Sequence, residues 1–143
     1  MKYLAFLALL FVQLSCAVDN PEAPNYVADF EARIKVYEDY ISNTAASTLD
    51  FSKGYGELYD ALDKELNIAY SSLMSKLNEE EKKLLKSSQR RWIKYRDAEY
   101  EFIATSITRD KFGSSAVISK GDYRTALLKA RVTELLWYLN KHS

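Results

Sequence analysis

The sequence predicts an all-α fold: a bundle of about four helices with a long central helix, following an N-terminal signal peptide. Three observations predict it. Apolar residues recur at spacings of three and four along several long stretches, the signature of amphipathic helices. Only four glycines and two prolines interrupt the 143 residues, and nearly half of the residues are apolar. One stretch, 78–107, carries its own start signal and the only motif-like run of the chain, Ser88-Gln89-Arg90-Arg91-Trp92-Ile93-Lys94-Tyr95-Arg96-Asp97.

Met1 to Ala17 reads as a signal peptide, outside the fold. Lys2 is a minimal basic start, Tyr3–Val12 is an apolar run too short to span a membrane, and Ser15-Cys16-Ala17 offers small residues for cleavage after Ala17. Leu14-Ser15-Cys16 also partly resembles a lipoprotein box, in which Cys16 would carry the lipid, although Gln13 stands where leucine is usual. The expected product is periplasmic or secreted, with a lipid-anchored envelope form as the alternative. Cys16 is the only cysteine, so a mature domain 18–143 has no disulfide.

Val18–Pro24 reads as a Pro-containing leader. Residues 25–43 form the first helix, with Val27, Phe30, Ile34, Tyr37 and Ile41 on one stripe. Thr44–Asp50 is a polar connection. Residues 51–77 form the second helix on Phe51, Tyr55, Leu58, Leu62, Leu66, Ala69, Leu73 and Leu77. Gly54 and Gly56 weaken its first turns and place a start near Glu57, because each glycine costs about 1 kcal/mol against alanine in a helix. Asn78 followed by Glu81 is a capping signature, and Glu79, Glu80 and Glu81 complement the positive end of the helix dipole. Leu84, Leu85, Ser88, Trp92, Tyr95, Glu99, Phe102 and Ile103 then recur at helical spacing, while Gln89, Trp92 and Arg96 form one ridge, with Asp97 as a nearby acceptor. Thr108–Gly121 reads as the longest irregular segment, with an excess of two positive charges. Asp122 caps a last helix, 123–140, on Leu128, Val132, Leu135 and Leu139. The central helix is expected to pack on both 51–77 and 123–140.

Charge and residue usage exclude several functions. Twenty Lys+Arg balance twenty Asp+Glu, which gives no global nucleic-acid signature. The distribution is uneven: residues 18–66 hold 11 acidic and 4 basic residues, net −7, and residues 67–143 hold 9 acidic and 15 basic, net +6. The expectation is that the two halves neutralise each other across the bundle; the alternative is an acidic face that docks a basic partner. One Cys and one His, His142 at the C-terminal end, cannot make a metal cluster, and no cofactor is implied. There is no Gly-rich phosphate loop and no nucleophile elbow. No residue reads as catalytic, so the chain is not expected to be an enzyme.

Asp63-x-x-Leu66-Asn67-x-x-Tyr70, then Gln89-Arg90-x-Trp92-Ile93-x-Tyr95-Arg96-Asp97-Ala98-Glu99, then Arg131-x-x-Glu134-Leu135, resembles the LprI-type lysozyme inhibitor N-terminal domain family over roughly 47–140. The resemblance implies a small exported helical bacterial domain that binds a protein partner, with a lysozyme-type glycosidase as the candidate. It also implies cysteines where Tyr100 and Tyr123 stand, and another about where Gly54 lies, so packing replaces a disulfide framework here.

The motif residues Asp63, Asn67, Tyr70, Gln89, Trp92, Tyr95, Arg96, Asp97 and Arg131 are expected to form a structural hydrogen-bond set. Ser114, Ser115 and Lys120 of the 108–121 segment are the expected partner-binding residues. They would enter a glycosidase cleft, where a catalytic carboxylate pair would meet the lysine and its neighbouring hydroxyls. The alternative is a periplasmic structural or adaptor module that binds another envelope protein through its acidic N-terminal helices.

Overall fold

In a computed structural model the described residues are 24–143, so the expected leader 1–17 and Cys16 lie outside them. The order is α1 (Tyr26–Asn43), α2 (Thr48–Lys76), α3 (Glu79–Ser106), the single turn α4 (Arg109–Phe112) and α5 (Ser115–Lys141). Four long helices form an all-α bundle, as the periodicity predicts.

Each long helix begins where a side chain answers a free backbone N–H, except α5. Asn25 accepts from the amide of Ala28. Ser47 and Asp50 form a reciprocal capping box, as do Asn78 and Glu81. Asp50 is held below the usual carboxylate range, first by the Ser47 hydroxyl and then by the amides of Ala46 and Ser47. This box starts α2 at Thr48, earlier than the predicted Phe51 or Glu57.

Gly54, expected to weaken its helix, and Gly121, expected to end the irregular segment, are both close approaches within helices, whereas nothing crowds Gly56. A Cβ at Gly54 would lie 2.9 Å from Cγ1 of Ile41 and 3.0 Å from Cδ1 of Tyr40. A Cβ at Gly121 would lie 2.2–2.4 Å from three ring carbons of Tyr55. Gly121 therefore sits inside α5 rather than ending a loop.

The core is built on α2 and α5, which make the most extensive helix pairing. Tyr55 meets Asp122 near their beginnings, while Ala69 and Ser72 share a cavity with Leu136 and Leu139 near their ends. The two helices therefore run parallel. The amide of Tyr26 donates to Asn140, and Lys129 reaches Glu38, so α1 runs antiparallel to α5 on one flank. Arg131 reaches Ser88 and Gln89, and Tyr100 reaches Arg124, so α3 returns antiparallel on the other. Phe30, Leu62, Leu128, Val132 and Leu135 are fully buried at the centre.

The predicted stripes of α1, α2 and α5 face this core. The stripe expected on α3 does so only in part. Leu84 and Phe102 are each 65% exposed and Tyr95 is also exposed, while Gln89 and Ile103 are the buried residues of α3. The inward ridge is Leu85, Gln89, Trp92, Arg96, Tyr100 and Ile103. α3 is thus an outer helix of the bundle, and α2 with α5 is its organising pair.

The segment 108–121 is a correction. It folds as α4, a turn at Gly113 with φ 61°, and the first two turns of α5. Asp122 is not a cap; it lies within α5 and accepts the hydroxyl of Tyr55.

Candidate functional site

The family-motif residues gather where α3 meets α2 and α5. Arg131 is only 5% exposed on α5. Its Nε donates to Oε1 of Gln89 at 3.0 Å, Nη1 to Glu134 at 2.6 Å and Nη2 to Oγ of Ser88 at 3.3 Å. Its guanidinium also lies 5.9 Å from the ring centre of Trp92. An arginine presents five donors in a fixed fork, so one side chain ties three acceptors and a ring face on two helices.

Arg96 extends this arrangement along α3. It donates through Nε and Nη2 to Asp97 and lies 5.6 Å from the Trp92 ring and 5.8 Å from the Tyr100 ring. Desolvation works against its charge, but Asp97 outweighs it and raises the Arg96 pKa. Arg124 of α5 lies 4.7 Å from the Tyr100 ring and 5.3 Å from that of Tyr59, and these two rings are 6.1 Å apart. Cations and rings alternate from Trp92 to Tyr59, joining α3, α5 and α2. The Tyr100 hydroxyl donates to the carbonyl of Arg124 at 3.0 Å, beside Tyr123. A hydrogen bond and the Arg124–Tyr100 cation–ring contact thus join α3 and α5 where the resemblance implies cysteines. Sequence reasoning missed Tyr59 and Arg124. The i, i+4 pair Arg96–Tyr100 was a usable signal for an inward cation–aromatic ridge.

On the far side of α3, Asp63, Asn67, Tyr70, Gln89 and Arg96 line one cleft between α2 and α3, of about 300 Å³, together with Leu66, Lys86, Arg90 and Ile93. Asn67 Nδ2 donates to the carbonyl of Asp63 at 2.8 Å and to its carboxylate at 3.3 Å. Tyr95 faces outward from this set.

Ser114, Ser115 and Lys120 belong to the corner between α4 and α5. Ser114 and Lys120 line one small cavity of about 120 Å³ with Thr48 and Arg109, so the fold brings these two together. Ser115 is not part of that cavity; its hydroxyl donates to the carbonyl of Phe112 at 2.6 Å. Phe112 is 50% exposed at the tip.

The two charged halves meet little. Among the described residues, only Lys129 forms ion pairs across them, to Glu31 at 2.7 Å and Glu38 at 2.8 Å. Burial opposes the Lys129 charge, and the two glutamates outweigh it and raise its pKa. Arg33–Glu65, Lys35–Asp39 and Lys53–Glu57 pair within the acidic half. Lys83, Lys86, Arg90, Arg91 and Lys94 are exposed on α3 and form no ion pair among the described residues. The expected neutralisation across the bundle is therefore confined to one lysine.

Three phenols are raised: Tyr138 by its hydrogen bond to Glu134, and Tyr55 and Tyr100 more strongly. Burial, then the Asp122 contact, pushes Tyr55 well above the usual phenol range; burial, then the charge of Tyr59, does the same to Tyr100. A folded-state pKa above the unfolded one adds stability that is complete below the unfolded value, near 10, and is lost as pH rises beyond it. In an ultraviolet pH titration, Tyr55→Phe and Tyr100→Phe should each remove a phenol that ionises only as the chain unfolds in alkali. A phenol lost instead from the ordinary group would refute the assignment.

Among the described residues there is no group of three or more His, Cys, Asp or Glu that could hold a metal. No described helix is long and apolar enough to cross a membrane. No curated protein and no solved structure matches the chain. A family model described as lysozyme inhibitor LprI matches residues 41–135, a span that runs from the end of α1 through the Gln89–Arg131 contact. The family so described is one of inhibitors rather than of enzymes. With two thirds of its length matched, the chain belongs to the LprI lysozyme inhibitor family.

Proposed function

We propose that the protein is an exported inhibitor that blocks a lysozyme-type glycosidase by seating its α4–α5 corner in the enzyme's cleft. Family membership over 41–135 is the observation that carries this reading. The corner supports it physically. Arg109, Lys111 and Phe112 are exposed at the tip, and Ser114 and Lys120 lie together behind it. A glycosidase cleft holds two carboxylates, which a cationic tip with neighbouring hydroxyls complements. The corner is a short helix and a turn rather than a free loop, so little conformational entropy is lost on insertion. Periplasmic or secreted placement belongs to the same proposal.

The adaptor alternative relies on an acidic face of α1 and α2. Most of that charge is engaged locally or by Lys129, which weakens the case for it.

The test is lysis of peptidoglycan by several lysozyme classes with and without the purified protein. Dose-dependent inhibition of one class is expected, and the Ser114→Ala/Lys120→Ala variant should lose roughly tenfold in potency, equivalent to about 1.4 kcal/mol. A folded protein that inhibits no class overturns the inhibitor reading. A double variant as potent as the parent removes the corner from it.

A further inference from the structure

The α2–α3 cleft holds a polar group with no protein partner. Gln89 is 9% exposed, and its Oε1 accepts from Arg131. An arginine only donates, so this contact orients the amide and leaves Nε2 as the free donor. Nε2 has no acceptor among the described residues, and it is not sealed from solvent, because every fully buried side-chain N or O has a partner. Gln89 lines the cleft. Buried donors are normally satisfied, so one that opens on a cleft suits an incoming acceptor.

The surroundings define that acceptor. Lys86 and Arg90 line the same cleft, are exposed, and form no ion pair among the described residues. The one facing carboxylate, Asp63, is already engaged by Asn67. Leu66, Tyr70 and Ile93 add apolar wall. The stretch 82–96 carries seven Lys and Arg and no Asp or Glu, so the field over this side of α3 is positive. At about 300 Å³ the cleft stands at the lower end of small-ligand sites, with room for one or two side chains.

We propose that this cleft recognises a short peptide segment that carries a carboxylate beside an apolar side chain. The carboxylate accepts from Gln89 Nε2 and is flanked by Lys86 and Arg90, giving charge-assisted hydrogen bonds. The apolar side chain lies against Leu66 and Ile93. The site shares no residue with the α4–α5 corner and does not depend on the inhibitor reading.

The test is an NMR titration of isotope-labelled protein at about 0.15 M salt, where distant surface charges are screened. The probes are the peptides acetyl-Leu-Glu-Glu and acetyl-Leu-Gln-Gln, and inorganic phosphate. The acidic peptide should shift the Gln89 side-chain amide pair saturably, and the neutral peptide should bind roughly tenfold more weakly or worse. The exposed double variant Lys86→Gln/Arg90→Gln keeps the fold and should lose a similar factor. Equal response to both peptides, shifts spread along α3 without saturation at Gln89, or phosphate binding as tight as the acidic peptide would each overturn the proposal. The lysis assay reads the corner independently, so the two proposals fail separately.

Discussion

Gly121→Ala will destabilise the bundle by about 3 kcal/mol, the upper part of the range for overpacking. The added methyl would lie 2.2–2.4 Å from ring carbons of Tyr55, a rigid group on the partner helix that is itself held by Asp122. The ring cannot swing aside without breaking that hydrogen bond, so α2 and α5 must separate. For a domain of this size the loss corresponds to a fall of about 10 °C in the melting temperature. Gly56→Ala is the matching control. Nothing lies within 4 Å of its would-be Cβ, so helix propensity alone acts and should add about 0.5–1 kcal/mol. Thermal and urea unfolding of both variants decide the matter. Similar effects of the two substitutions would refute the close-approach account of Gly121.

Arg131→Met should cost about 3 kcal/mol. The side chain is almost fully buried, and its loss leaves the Gln89 carbonyl oxygen without a donor. Glu134 is largely able to return to water, so the penalty falls chiefly on Gln89 and on the packing against Trp92. Replacing both partners by apolar side chains of similar shape removes the unsatisfied group. Arg131→Met/Gln89→Met should therefore recover to within about 1 kcal/mol of the parent, as buried polar sets often do. A double-mutant cycle by urea unfolding measures this directly. Strictly additive losses would show that the contact is not a coupled unit.

Much of the fold was legible because α1, α2 and α5 bury wide apolar stripes. Phe30, Leu62, Leu73, Leu128 and Leu135 fall at core positions on spacing alone. The Asn78–Glu81 cap was legible for the same local reason. The corner was not. Gly113, Ser114 and Gly121 share one sequence signature, yet only Gly113 turns the chain, while Gly121 answers a ring 66 positions away. The role of α3 was also hidden. Its inward ridge is Gln89, Trp92, Arg96 and Tyr100, polar and aromatic, so hydropathy favoured the exposed Leu84 and Phe102 instead. The motif marked the right residues, but the cleft and the cation–aromatic series depend on contacts between helices that spacing cannot supply.

The parallel pairing of α2 and α5 has a kinetic consequence. Parallel neighbours cannot be joined by a short turn, so the chain must travel back along α3 before α5 can begin. Tyr55 and Asp122 are 67 positions apart, and closing a flexible loop of that size costs about 4 kcal/mol before any constant. Helix formed early in α3 shortens that search by making the return leg stiff, and Asn78 with Glu81 provides its nucleus. The rate of folding is then governed by residues that barely touch the core: weakening the Asn78 cap should slow folding, whereas trimming the outer face of α3 should leave it unchanged.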